Sequence, residues 1–148
     1  MTYIGIDPGQ KGGYAIITED YYATWAWDNQ EFIKFAQSID DPHTICCLEK
    51  VNALPKQGVV SMFNFGKSAG FIEGVLSAYG IPYQLVPPQK WKKEFSLSTD
   101  KNKSIDVCKK LFPKASLRRT ERCTTDSDGM AEALLMAEYA KRNLSVGG

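Results

Sequence analysis

Tyr3-Ile4-Gly5-Ile6-Asp7-Pro8-Gly9 is an apolar β-run that ends in an acid. A strand built for burial normally avoids a lone carboxylate, because desolvating that charge is costly unless a partner offsets it. Pro8-Gly9 and the following Lys11-Gly12-Gly13 make a tight turn into a second β-run, Tyr14-Ala15-Ile16-Ile17, so Asp7 stands near the end of the first strand of a hairpin. The pattern recurs at Thr44-Ile45-Cys46-Cys47-Leu48, an apolar, β-prone run followed at once by Glu49. A third acidic cluster, Asp126-Ser127-Asp128-Gly129-Met130-Ala131-Glu132, opens the last helical pattern. Brought together, these carboxylates would form a hard-cation site, and Mg²⁺ held by a few carboxylates plus water is the natural neutraliser.

Each acid has an ordinary explanation by itself. Asp before Pro-Gly is a common turn residue, and a strand can end in a solvated Glu. Asp126 and Asp128 suit an N-cap and first turn, where the helix dipole favours them by about 0.3–1 kcal/mol. The conjunction carries the argument: two acid-terminated strands and an acid-opened helix point to a shared ligand. Asp128 and Glu132, at i and i+4, lie on one face a turn apart and repel unless a cation sits between them.

With 148 residues, 43% hydrophobic and 11% aromatic, the chain has material for one globular domain spanning 1–148. No basic-then-apolar leader opens it, and no apolar run approaches the ~20 residues that cross a bilayer. A soluble, cytoplasmic protein with no membrane partner is expected. Cys46, Cys47, Cys108 and Cys123 show no Cys-x-x-Cys spacing and read as small buried hydrophobes rather than zinc ligands or disulfides. Adjacent Cys46 and Cys47 should point to opposite faces of a strand. His43, the only histidine, reads as a loop residue.

The net charge of +1 hides an asymmetry. Between positions 90 and 122 stand eleven Lys or Arg against four acids, a local +7, leaving −6 elsewhere. A dense basic block beside an acidic metal site suits a polyanion held by its phosphates.

The element order reads as α/β. Residues 2–7, 12–18 and 21–27 are three β-runs whose spacing predicts a meander. Residues 29–38 form a short amphipathic helix, and the strand ending in Glu49 follows. Residues 52–59 lack periodicity and read as a loop beside the proposed metal site. A long helix runs over 61–79, with Gly66, Ala69, Gly70 and Gly74 along it; small residues at that spacing allow close approach, to the sheet or to another chain. Residues 82–86 are a strand stopped by Pro87-Pro88. A basic helix spans 103–112, started at 98–100, and 114–125 is a basic, polar loop. The last helix, about 127–143, turns Met130, Leu134, Leu135 and Ala137 to the core.

In this order the motifs resemble the RuvC-like Holliday junction resolvases, and more narrowly their short phage members, within the ribonuclease H-like superfamily. Ile4-Gly5-Ile6-Asp7-Pro8-Gly9 resembles the opening strand with its catalytic Asp, and Leu48-Glu49-Lys50-Val51 the strand with its catalytic Glu. Phe65-Gly66-Lys67-Ser68-Ala69-Gly70 is similar to the helix that follows. Val86-Pro87-Pro88-Gln89-Lys90-Trp91-Lys92-Lys93 and the Lys103-Ser104-Ile105 helix are similar to the basic substrate-binding stretches, and Asp128-Gly129-Met130-Ala131-Glu132 to the final acidic helix. Two positions depart from bacterial members: the last acidic pair is spaced i, i+4 rather than i, i+3, and Val51 and Asn52 stand where an aromatic residue is usual.

The resemblance implies a ribonuclease H-like fold, a mixed sheet of antiparallel meander and parallel strands flanked by helices. It implies a metal-dependent endonuclease that resolves four-way DNA junctions by paired phosphodiester hydrolysis as a homodimer, packed through the 61–79 helix. The implied catalytic residues are Asp7, Glu49, Asp128 and Glu132. Asp7 would bridge two Mg²⁺ ions roughly 4 Å apart, replaceable by Mn²⁺; Glu49 would bind one metal, and Asp128 with Glu132 or Asp126 the other. Lys90, Lys92, Lys93, Lys101 and Lys103 would hold flanking phosphates without reading bases. Trp91 has two readings, a base stacker or a core anchor. The alternatives to junction resolution are a broader flap or fork nuclease, another ribonuclease H-like nuclease, and a non-catalytic DNA-binding module.

Overall fold

A central β1 (Thr2–Asp7) organises the molecule. The computed structural model describes residues 1–51, 58–97 and 101–144, excepting the side chains of Lys101 and Asn102. β1 pairs antiparallel with β2 (Gly13–Ile17), which pairs antiparallel with β3 (Tyr22–Ala26), giving the expected meander. On its other side β1 runs parallel to β4 (Thr44–Glu49), and β4 parallel to β5 (Tyr83–Val86), for a strand order β3-β2-β1-β4-β5. The helices are α1 (Asn29–Ser38), α2 (Val59–Ala78), α3 (Pro88–Glu94), α4 (Lys101–Leu111) and α5 (Asp128–Asn143). None of the described helices is long and apolar enough to cross a membrane.

Most boundaries match the periodicity, with instructive exceptions. α2 begins at Val59, earlier than the pattern indicates, and the rest of the expected 52–59 loop lies outside the described residues. So do residues 98–100, read as the start of the basic helix. α3 has no counterpart in the periodicity. Pro87-Pro88 ends β5, yet Pro88 at the helix start has no N–H to leave unsatisfied and a φ already set for helix, so the residues that stop the strand also start α3.

Strand alternation sorts the core into two layers. Ile4, Ile6, Cys46 and Leu48 face α1 and α2, joining Tyr14, Phe32, Ile72 and Leu76. Ala15, Ile17, Ile45 and Cys47 face the other way, toward α3, α4 and α5. Cys46 and Cys47 thus enter opposite layers as their adjacency predicts. Cys123 differs from the other three thiols: it is half-exposed, with its sulfur 3.2 Å from the Thr120 hydroxyl, because its loop runs over the surface.

α5 is buried from Gly129 to Ala137 and again at Tyr139 and Ala140, not on one face as its pattern suggests. Small residues let it lie directly on the sheet. A Cβ at Gly5 would fall 2.0 Å from the Ala133 carbonyl oxygen and 2.3 Å from the Ala137 nitrogen, and one at Gly129 would fall 2.1 Å from the Lys11 carbonyl oxygen. These neighbours are backbone and cannot swing aside. Gly5→Ala should therefore cost about 3 kcal/mol or more, at the severe end for overpacking; a urea midpoint within error of wild type would show that α5 does not press on β1 this closely.

Candidate active site

The alternation that separates the layers also aims the acids. Asp7 follows Gly5 on the α5 side of β1, and Glu49 follows Cys47 on the same side of β4. Because Ile6 pairs with Leu48 in parallel register, the next residues, Asp7 and Glu49, emerge side by side at the carboxyl ends of adjacent strands. The chain leaves β1 toward β2 but rejoins the sheet through β4 on the opposite flank, so this is the topological switch point, where ligands of such sheets bind. The close packing at Gly5 and Gly129 fixes α5 across these strand ends. Ser127 caps it by accepting from the Met130 N–H at 3.2 Å, placing Asp128 in the first turn and Glu132 one turn on.

Electrostatics ties the four acids together. Burial, and then the charges of Glu49, Glu132 and Asp128, holds the Asp7 carboxyl well above the usual carboxylate range, with Lys92 opposing. Burial raises Glu49 too, against a Trp91 hydrogen bond and Lys92. Glu132 is raised by burial, opposed by Lys92, then pushed further by Glu49 and Asp128 and eased by Ser104. Among the described residues no three carboxylate, thiol or imidazole groups stand in a ready ligating arrangement. Four mutually repelling carboxylates gain by standing apart.

These shifts have a defined consequence for stability. A raised folded pKa means the native chain holds protons that the unfolded chain has released. The stability that these three groups contribute is then fully present below the ordinary carboxylate range and is lost as pH rises through the folded values. In EDTA, wild-type protein should unfold at progressively lower urea as pH rises above the ordinary carboxylate range, and Asp7→Asn should flatten that slope and raise the midpoint at its alkaline end. Equal slopes in the two proteins would remove Asp7 from the buried acidic group.

Asp126 stands apart. Its carboxylate is paired with Lys109 at 2.5 Å and Arg118 at 3.6 Å, tying the basic loop to α4, whereas the acids acting on Asp7 are Glu49, Glu132 and Asp128. Lys92 is half-buried, and its charge acts on Asp7, Glu49 and Glu132, a placement its reading as a phosphate contact does not convey. Lys90, Lys93 and Lys103 are exposed, and the Lys101 side chain lies outside the described residues. Trp91 is fully buried, which removes the base-stacking reading; its indole N–H donates to Glu49 Oε2 at 2.8 Å. Ser104, also buried, donates to Glu132 Oε1 at 3.3 Å. The sequence signal for both was thin: a Trp among lysines, and a Ser within a basic helix.

A groove of about 1130 Å³ opens elsewhere, between the β2–β3 hairpin and α1, lined by Tyr14, Trp25 and Phe35 among others and by none of the four acids.

The mixed sheet, with acids at the ends of its central strands and a helix laid across them, is a ribonuclease H-like fold. Solved structures similar to it include RuvC from Thermus thermophilus. One, RuvC in complex with Holliday junction substrate, aligns over 99% of both chains with a TM-score of 0.65 and 12% identity. Another RuvC structure aligns over 99% of both with a TM-score of 0.53 and 13% identity. No family model matches the chain, and no curated protein does. At such identities the likeness is one of fold: this is a RuvC-type ribonuclease H-like fold.

Proposed function

We propose that this chain is a metal-dependent, structure-specific DNA endonuclease that resolves four-way junctions by paired phosphodiester hydrolysis. The observation that carries this reading is the electrostatic union of Asp7, Glu49, Asp128 and Glu132 at the strand ends, beside helices rich in lysine. Hard oxygen donors that are buried and mutually repelling fit Mg²⁺, with Mn²⁺ as a substitute. These four residues would hold it, as two ions per site. When bound, the metal polarises the scissile phosphate and supplies a nucleophilic water at neutral pH. The chain's own groups do the rest. Lys92 offsets carboxylate charge and meets the substrate's phosphate; Lys90, Lys93, Lys101 and Lys103 hold flanking phosphates regardless of sequence. Buried α5 keeps the acids fixed while DNA is exchanged.

Two symmetric cuts call for a C₂ dimer, and α2 supports one. Val59 is 84% and Phe63 69% exposed, and open space surrounds the Cβ positions of Gly66, Gly70 and Gly74. The small residues therefore do not serve packing on the sheet, and they are open to close approach by a second chain. An apolar helix end of this kind is normally covered. Phe63→Asp should convert a dimer to a monomer in sedimentation; a wild-type monomer at high micromolar concentration would refute the pairing.

The functional test is a panel of labelled four-way junction, flap, duplex and RNA/DNA hybrid in Mg²⁺. Paired nicks at the junction, at least about tenfold faster than cuts in the flap or duplex, are expected from steep positional demands on the reacting groups. Equal cutting of flap and junction would favour a broader branched-DNA nuclease, cutting of the hybrid alone another ribonuclease H-like activity, and tight binding without turnover a non-catalytic module.

A further inference from the structure

Two buried hydrogen-bond donors lie behind the acids, and their origin is informative. A buried indole N–H must find an acceptor, and a backbone carbonyl would serve. Trp91, on α3, instead donates at 2.8 Å to Glu49 Oε2, at the end of β4. Ser104, 2% exposed on α4, donates at 3.3 Å to Glu132 Oε1, on α5. Each donor therefore crosses from one element to an acid on another, and each sits on a helix whose exposed lysines face outward: Lys90 and Lys93 on α3, Lys103 on α4. A bond to one carboxylate oxygen limits rotation of the group and leaves the other oxygen oriented. Donors behind metal-binding carboxylates act in this way, and their removal typically weakens metal affinity by 10–100-fold.

We infer that Trp91 and Ser104 are positioning residues, holding the carboxylates of Glu49 and Glu132 in the orientation that receives the cation. This rests on the metal-dependent reading above. The plainer account of Trp91 is a core filler, since it is fully buried and belongs to the same core cluster as Val86, Phe95 and Cys108. Trp91→Phe separates the two: it keeps an aromatic ring in the core and removes only the N–H and part of the volume.

The experiment follows melting temperature against Mg²⁺ concentration in DNA-free protein, so that turnover plays no part. For wild type, Mg²⁺ should raise the melting temperature as RT ln(1 + [Mg²⁺]/Kd), and the apparent Kd fitted to that rise is the midpoint compared between variants. Trp91→Phe should move that midpoint about tenfold higher, and Ser104→Ala a few-fold higher, with Ser104→Thr restoring it. In a Glu49→Gln background, Trp91→Phe should produce no further weakening, because its partner carboxylate is gone. A midpoint within twofold of wild type for both Trp91→Phe and Ser104→Ala overturns the inference while leaving the metal site standing. A wild-type chain that gains no stability from Mg²⁺ or Mn²⁺ overturns it together with the reading beneath it. Should Trp91→Phe fail to fold, Ser104→Ala, which removes a single hydroxyl, decides alone.

Discussion

Asp7→Asn is expected to abolish junction cleavage, by on the order of 10³-fold or more, while leaving junction affinity within a few-fold of wild type. Asp7 receives the combined charge of Glu49, Glu132 and Asp128, so it is the residue through which all four acids meet. Asparagine keeps its shape but removes the charge on which cation binding depends. Affinity should survive because the proposed function draws it mainly from phosphate contacts by lysines on α3 and α4, whose counterion release would not involve the acids. Gel shift and single-turnover cleavage on the same junction measure both quantities. Losing a buried, repelled charge should not unfold the chain, and circular dichroism checks this. Parallel loss of binding and cleavage in a folded variant would make Asp7 a structural residue.

Ranking the helix acids gives the second large effect. Glu132→Gln and Asp128→Asn should each lower Mg²⁺-supported turnover by on the order of 10²-fold or more, whereas Asp126→Asn should stay within about tenfold. Glu132 is buried beside Glu49, Asp128 and Lys92, and Asp128 shares its helix face. Asp126, 17% exposed, is already paired with Lys109 and Arg118. Its loss should appear as lower stability, on the order of 1 kcal/mol, and a looser basic loop. Cleavage rates at several Mg²⁺ concentrations, set beside thermal melts, separate the two effects. If Asp126→Asn is inactive and Glu132→Gln near normal, the catalytic ion lies on the loop side of α5.

How much of the site was legible in sequence depended on the range of the interaction. Asp7 and Glu49 stand out because each interrupts a local period-2 apolar pattern, and that irregularity needs no knowledge of distant residues. Asp128 and Glu132 follow from helical spacing alone. Asp126 could not be separated from them, because its partners Lys109 and Arg118 are remote along the chain. Trp91 and Ser104 were similarly opaque: nothing within a helical turn of either announces a hydrogen bond to Glu49 or Glu132. α3 was hidden by a prolyl pair that ends one element and starts the next.

By itself, the sequence determined the strands, nearly all the helices and the meander, since hydrophobic period and turn residues are properties of a few neighbouring positions. It also determined that acids close β1 and β4 and open α5, and that positive charge gathers between 90 and 122. Tertiary structure alone decided that Asp7 and Glu49 share a face at the switch point, that α5 lies against Gly5 and is buried nearly all round, and that Lys92 enters the acidic group. It alone turned Gly66, Gly70 and Gly74 of α2 to open space rather than to the sheet. The physical reason is that periodicity reports which side of an element is apolar, whereas the partner that side meets depends on strand order, register and the closeness of backbone contact. Those are set jointly by residues far apart in the chain.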